Sequence, residues 1–264
     1  MTWTTRPRSD HHGVPVIRAG AGPRIVLLHG VGLRAEAWAP VIDRLATRYS
    51  VLAPDMPGHG QHAPQPGLGA ITDYAALLGA VLDGPGVVVG HSMGAMIATA
   101  LAALHADKVL ALGALNAVFE RTPAAKAAVR ARAGALDGTT LPDPEPTLDR
   151  WFGADQSPER AACAAWLRAV DPEGYRAAYT VFAQDDGPHR DTLSALRVPA
   201  LFMTGADEPN STPAMSQAMA GLAPSGYARV VEGAAHMLPM THPDTVADEI
   251  HRLATKSPAT QEQG

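Results

Sequence analysis

The stretch GPGVVVGHSMGAMIATALAALHA, residues 84–106, is the part of the sequence that decides the fold. Its valine-rich start predicts a short buried strand, and the alanine-rich run that follows has the length of a helix. Gly-x-Ser-x-Gly lies between them, with Ser92 at its centre. The motif alone is weak, because a glycine-rich chain can contain it by chance. Its place between a strand and a helix favours a sharp turn that presents the Ser92 hydroxyl as a nucleophile.

Strands and helices alternate on both sides of this turn. RIVLLHG (24–30) and SVLAPD (50–55) predict strands before it, and KVLALGALNA (108–117) predicts a strand after it. The pattern stops near Asn116 and resumes at VPALFMTG (198–205). Alternation with short connections indicates an α/β fold, with a mostly parallel sheet that is flanked by helices.

The interruption of this pattern predicts a helical insertion into a single sheet. Residues 119–190 are rich in alanine, arginine and proline and are predicted to form helices and loops. We therefore predict a core made of residues 1–118 and 191–255, with a helical cap over residues 119–190. The small and polar residues 256–264 are predicted to form a flexible tail.

Composition excludes several classes of function. Of the 264 residues, 46% are hydrophobic and 18% are charged, which suits a large folded domain. The formal net charge is −5 and basic runs are absent, so neither a nucleic-acid partner nor a membrane partner is expected. The N-terminus has no signal-peptide pattern and no apolar run is long enough to cross a membrane, so a cytoplasmic location is expected. A homo-oligomer is compatible with this composition.

A serine hydroxyl is a poor nucleophile until a base removes its proton, so a histidine partner is required. Among eleven histidines, His236 follows the last predicted strand, at the sheet edge where Ser92 is also expected. His29 and His59 occupy glycine-rich loops and are predicted to brace them through hydrogen bonds. A metal site at His59 and His62 would lack cysteine or acidic ligands, so no metal is expected.

An acidic residue is needed to orient this histidine and to stabilise its charged form. It is expected after the strand that ends at Gly205, where the sequence offers two neighbours, Asp207 and Glu208. Adjacent side chains cannot both face the same point, so only one of the two can serve.

The chain resembles the α/β-hydrolase family over residues 14–255. The motifs that carry the resemblance are LLHGVG (27–32), DMPGHG (55–60), GHSMG (90–94), GADEP (205–209) and GAAHM (233–237). The order serine, acid, histidine along the chain is also that of this fold. The resemblance implies an α/β-hydrolase fold with a helical cap, and a serine hydrolase that needs no cofactor.

The resemblance also implies roles for individual residues. The acid of this family usually stands at the position of Glu208, where aspartate is more common, so Glu208 is favoured over Asp207. The backbone amides of Val31 and Met93 are implied as the oxyanion hole, which receives the charge that develops on the attacked carbonyl oxygen.

Substrate choice is expected to depend on the cap and on the loop VGLRAEAW (31–38). Arg34 in this loop has two interpretations, since it can bind a substrate carboxylate or remain a solvated residue that caps the loop. Trp151 and Tyr179 are candidates for the lining of an apolar substrate pocket. They can equally pack the cap helices against one another.

These residues favour an enzyme that hydrolyses a small carboxylic ester or lactone, with or without a carboxylate, through an acyl-enzyme on Ser92. The segment DPEGYRAAYTVFAQDD (171–186) is similar to 3-oxoadipate enol-lactonases and related small-molecule hydrolases. The alternatives among enzymes are a C–C bond hydrolase of a dienoic or diketo acid and a cofactor-free haloperoxidase or perhydrolase. A ligand receptor on the same fold is the alternative outside enzymes.

Overall fold

The computed structural model describes residues 3–256, and their strands form one eight-stranded sheet. The strands are β1 (Ser9–His11), β2 (Val14–Ala19), β3 (Arg24–Leu28), β4 (Ser50–Pro54), β5 (Gly86–His91), β6 (Val109–Leu115), β7 (Ala200–Gly205) and β8 (Gly226–Val231). Their order is β1-β2-β4-β3-β5-β6-β7-β8. All pairs from β4 to β8 are parallel, whereas β2 is antiparallel to both β1 and β4.

Helices cover both faces of this sheet. Those outside the predicted insertion are α1 (Ala39–Leu45), α2 (Ile71–Leu78), α3 (Met93–Leu104), α9 (Pro213–Leu222), α10 (Leu238–Thr241) and α11 (Pro243–Thr255). Neighbouring residues of β3 enter opposite core layers: Val26 and Leu28 pack on one face, and Ile25 and Leu27 on the other. This alternation follows from the two-residue repeat of a strand and explains why the central strands are apolar throughout. The predicted fold class is confirmed.

Five further helices lie between β6 and β7; the first four fall in the region predicted as an insertion, and the fifth begins at its last residue, Arg190. They are α4 (Pro123–Gly134), α5 (Glu145–Phe152), α6 (Pro158–Leu167), α7 (Pro172–Gln184) and α8 (Arg190–Ser194). Three of them begin with a capping residue followed by proline: the side-chain oxygens of Thr122, Ser157 and Asp171 each accept an N–H of the first turn. Within this group α4 packs against α7, and α5 packs against α6.

Two further expectations concern the C-terminal tail and the absence of a segment that spans a membrane. Residues 257–264 of the predicted tail lie outside the described residues. Across residues 3–256, each helix is too short or too polar to cross a lipid bilayer.

A buried ionic cluster of Arg8, Glu36 and Asp55 joins the N-terminal segment to the loops after β3 and β4. Arg8 Nη2 lies 2.8 Å from Glu36 Oε2, and Arg8 Nε lies 2.8 Å from Asp55 Oδ2. The Asp55 carboxylate also accepts the backbone N–H groups of Ala35 and Gln61. Burial raises the pKa of Glu36, but the arginine contacts outweigh it and lower this pKa to about 2. The cluster therefore holds the two loops in a fixed relation.

Replacement of Arg8 by alanine is expected to lower the free energy of unfolding by about 3–5 kcal/mol, because the buried Asp55 carboxylate loses its cation and the buried Glu36 carboxylate keeps only Arg34. Urea denaturation at neutral pH measures this loss. Arg6→Ala is the matched control, since Arg6 pairs with the exposed Asp43 and such pairs contribute about 0–1 kcal/mol. A loss below about 1 kcal/mol for Arg8→Ala would contradict the stabilising role of the cluster.

The lowered pKa of Glu36 also predicts how the stability of the cluster depends on pH. A carboxyl whose pKa is lower in the folded state stabilises that state fully above its unfolded pKa, here about 4.5. This contribution is lost as the pH falls from there towards 2.

Candidate active site

Ser92 lies in a sharp turn between β5 and α3, with φ at +57° and ψ at −121°. This backbone conformation is strained for a residue that carries a Cβ. The turn depends on its glycines: a Cβ on Gly90 would collide with the carbonyl oxygen of Gly94, and a Cβ on Gly94 would collide with that of Leu28. The turn thus lifts Ser92 to the carboxyl edge of the sheet, at the N-terminus of α3.

His236 and Glu208 meet at the same edge, in the loops that follow β8 and β7. His236 Nδ1 lies 2.5 Å from Glu208 Oε2, and both residues are buried. Glu208 Oε1 accepts the N–H groups of Asn210 and Ser211 at 2.8 and 3.3 Å. Burial raises the pKa of Glu208, but His236 and the two N–H donors outweigh this and lower it to about 2. Glu208 is therefore a carboxylate at neutral pH, as is required to orient a histidine and stabilise its charged form.

Asp207 is exposed and does not face the histidine. Its backbone N–H donates to Ala234 O at 2.9 Å, and the turn directs its side chain to the outside. Of the two neighbouring acidic residues that the sequence offered, Glu208 is therefore the one that contacts His236. The alternative, Asp207, points away from it.

Asn116 supports the acid from the end of β6, and nothing in the sequence pattern assigned it this place. Its Nδ2 lies 3.0 Å from Glu208 Oε2 and 3.2 Å from Thr204 Oγ1. The residue has a φ of +50°, a conformation that asparagine tolerates better than most residues. The one available signal was its position, directly after a central strand where the alternation of elements stops.

Two aromatic side chains fix the position of His236. The Trp151 ring, from α5, stacks on the imidazole with a centroid distance of 5.6 Å and an interplanar angle of 21°. His91 Nε2 lies 2.7 Å from the backbone oxygen of His236. Burial lowers the pKa of His91 to about 3, so its neutral ring donates this hydrogen bond. One inserted helix therefore contributes directly to the site.

The loop after β3 passes over Ser92. A Cβ on Gly30 would lie 3.0 Å from the Cβ of Ser92, so the loop approaches the serine as closely as glycine allows. Val31 follows in this loop and lines the same cavity as Ser92. Met93 is the first residue of α3, where a backbone N–H has no acceptor within the helix. Met93 thus directly follows Ser92 at the N-terminus of α3, and Val31 lines the cavity that contains Ser92.

His29 and His59 brace the loops around the serine, as the sequence predicted. His29 Nε2 accepts the N–H of Met56 at 2.9 Å, and His59 Nε2 accepts that of Gly32 at 3.0 Å. The other ring nitrogen of His59 donates to Pro57 O at 3.0 Å. Burial lowers the pKa of His59 to about 3, so the ring is neutral. Because both of its nitrogens are occupied, His59 has no ligand atom to offer to a metal together with His62.

A cavity of about 270 Å³ opens between the sheet edge and the inserted helices. Its lining includes Ser92 and His236 from the sheet edge and Trp151 and Tyr179 from the inserted helices. Its volume is at the lower limit of common ligand pockets, which span roughly 300–1,000 Å³. The cavity is therefore suited to a small substrate. Its other apolar lining residues include Val118, Val129, Tyr175 and Phe182.

Arg34 does not line this cavity. Its Nε lies 2.7 Å from Glu36 Oε2 and its Nη2 lies 3.1 Å from Thr5 Oγ1, so its charge is neutralised at the edge of the buried ionic cluster. This position differs from both interpretations of the sequence: Arg34 does not face the cavity to bind a substrate carboxylate, and its side chain is partly buried in an ion pair and makes no capping hydrogen bond. The arginines that do line the cavity belong to the inserted region and are Arg121, Arg132 and Arg150.

The comparisons with known proteins agree with this architecture. Residues 25–249 match the family model described as the alpha/beta hydrolase family. The chain is 42% identical over 252 residues to the (E)-2-((N-methylformamido)methylene)succinate hydrolase of Acinetobacter baylyi, covering 93% of this chain and 95% of that protein.

Two solved structures have similar folds at 26% sequence identity. One is a thermophilic esterase from Thermogutta terrifontis with malate bound. Its TM-score is 0.80, and the aligned region covers 93% of this chain and 95% of the esterase chain. The other is the enol-lactonase from Burkholderia xenovorans. Its TM-score is 0.76, and the aligned region covers 94% of this chain and 100% of the enol-lactonase chain. The chain therefore belongs to the alpha/beta hydrolase family and is a hydrolase.

Proposed function

We propose that this member of the alpha/beta hydrolase family is a serine hydrolase that cleaves a small carboxylic ester or lactone through an acyl-enzyme on Ser92. The buried Glu208–His236 pair beside a serine in a strained turn carries this proposal. The small cavity over these residues supports a small substrate.

In the proposed mechanism, Ser92 Oγ attacks the substrate carbonyl while His236 takes the hydroxyl proton. Glu208 accepts the hydrogen bond of His236 Nδ1 and stabilises the charged imidazole. The backbone amides of Val31 and Met93 donate to the oxyanion, an interaction worth about 3 kcal/mol for each donor. His236 then protonates the leaving group and activates a water molecule that hydrolyses the acyl-enzyme.

A second candidate is the hydrolysis of an N-acyl group on a dicarboxylate. The relative that is 42% identical is named for a substituted succinate that bears an N-methylformamido group. The same nucleophile, base and oxyanion donors would serve an amide carbonyl as well as an ester. This candidate and the ester or lactone differ in the leaving group, so a substrate panel separates them.

Labelling with a fluorophosphonate tests the proposal. We expect one adduct per chain by intact mass, located on Ser92 by peptide mapping, because only an activated serine reacts. Ser225→Ala removes an exposed serine and should leave the adduct in place. The rates of hydrolysis of three substrates then show which bond is cleaved best. Methyl butyrate tests the ester, γ-butyrolactone the lactone and an N-methylformamidomethylene succinate the amide. Folded protein that forms no adduct would favour the ligand receptor instead.

A further inference from the structure

We propose that Arg132 and Arg150 form a carboxylate-binding subsite in the cavity, so that the substrate carries a carboxylate away from the bond that is cleaved. The inference deepens the proposed function and rests on it for the position of the reacting carbonyl at Ser92. Its ligand class is a small mono- or dicarboxylate.

The two guanidinium groups share the cavity with Ser92, and their hydrogen bonds within the described residues go to neutral groups. Arg132, on α4, has its Nε 3.0 Å from the hydroxyl oxygen of Tyr179. Arg150, on α5, has its Nη2 2.8 Å from Thr147 Oγ1. Within residues 3–256, neither arginine has a carboxylate oxygen within 4.0 Å. Their remaining donors are available to a ligand.

Other arginines of the chain that are buried to a similar or greater degree are neutralised. Arg8 binds two carboxylates, and Arg160 binds Glu145 and Asp149 at 2.9 and 2.7 Å. Arg121, which also lines the cavity, binds the backbone oxygens of Asp185 and Phe182 and the carboxylate of Asp186. Arg121 therefore has a structural role, whereas Arg132 and Arg150 form no ion pair with any carboxylate in the described part of the chain.

The two charges also act on each other. Partial burial and then the nearby Arg132 cation lower the pKa of Arg150. Like charges in a partly desolvated cavity destabilise each other, and an anion between them removes that cost. A carboxylate suits this position because a guanidinium presents parallel N–H donors that match its two oxygens.

Tyr175 relates this subsite to the reacting centre. Tyr175 lines the same cavity as both arginines, and their charges lower the pKa of its hydroxyl, which burial raises. The Tyr175 ring also packs against Gly32, which follows Val31 in the loop over Ser92. The same cavity therefore holds Ser92 and two cationic groups, and its volume of about 270 Å³ suits a short carboxylic acid derivative.

Two esters of equal chain length test the subsite. Monomethyl succinate and methyl butyrate differ only by a carboxylate in place of a methyl group. We expect wild-type kcat/KM to favour monomethyl succinate, and Arg132→Gln or Arg150→Gln to reduce this preference about 10–100-fold, mainly through KM. Arg130→Gln, an exposed arginine on the same helix, is the control and should retain the preference. A wild-type preference for methyl butyrate, or an unchanged ratio in both variants, would overturn the subsite.

Binding of succinate to Ser92→Ala separates this inference from the proposed function. We expect succinate to bind this variant in titration calorimetry and to bind at least tenfold more weakly when Arg132→Gln and Arg150→Gln are added. If the wild type forms no fluorophosphonate adduct but succinate binding depends on the arginines, the proposed function fails and the subsite stands. If labelling succeeds but both arginine replacements leave succinate binding unchanged, the subsite fails and the hydrolase mechanism stands.

Discussion

Ser92→Ala is expected to lower kcat by about 10⁴-fold or more while the protein remains folded. Alanine cannot form the acyl-enzyme, so only binding and the oxyanion donors would continue to accelerate the reaction. The fold should persist because the hydrogen bonds of the turn are made by the backbone: Ser92 N donates to Leu115 O, and Ser92 O accepts from Ala95 N. Initial rates with the best substrate of the panel measure the loss of kcat. Circular dichroism shows whether the variant remains folded.

The matched control for this replacement is Ser225→Ala, which changes a serine that is exposed and outside the cavity. It should retain wild-type kcat and the fluorophosphonate adduct. Turnover by Ser92→Ala within tenfold of wild type would contradict nucleophilic catalysis by this residue.

Glu208→Gln is expected to lower kcat by about 10³–10⁴-fold, the effect of a triad acid that loses its charge. All the groups around the carboxylate are donors: Asn116 Nδ2 and His236 Nδ1 at Oε2, and the N–H groups of Asn210 and Ser211 at Oε1. A glutamine amide would place its own NH₂ against one of these donors. Either His236 takes the wrong tautomer or the loop loses its hydrogen bonds, and both lower the rate.

Asp207→Asn provides the control for this prediction at the adjacent position. Because Asp207 is exposed, we expect its replacement to change kcat less than about twofold. Steady-state kinetics of both variants on the same substrate give the ranking. A larger effect at Asp207 than at Glu208 would refute the assignment of the acid.

The parts of the fold that the sequence predicted depend on local signals. Short apolar runs, such as the three valines between Gly86 and Gly90, identified the central strands, and Gly90 and Gly94 identified the turn around Ser92. The order of motifs along the chain then specified the family. The hairpin of β1 and β2 was not predicted, because Val14–Ala19 has mixed burial and its strand partners are antiparallel.

The candidate site was predicted less completely, because its geometry depends on how loops from distant parts of the chain meet. Asp207 and Glu208 are equivalent as a sequence pattern, and only the turn after β7 determines which of them faces His236. Asn116 lies 92 residues from the carboxylate that it contacts, so no local pattern could connect the two.

The sequence by itself determined the fold class, the hydrolase family and the candidates Ser92 and His236, since glycine turns and strand periodicity are read within a few residues. Only the tertiary structure decided which charged side chains face the cavity. Arg130 and Arg132 are two residues apart, yet the packing of α4 turns Arg132 towards the cavity and leaves Arg130 exposed. Arg34 is adjacent to the site in sequence but is bound by Glu36. The fold follows from local backbone preferences, whereas the place of each charge depends on partners that are distant in the chain.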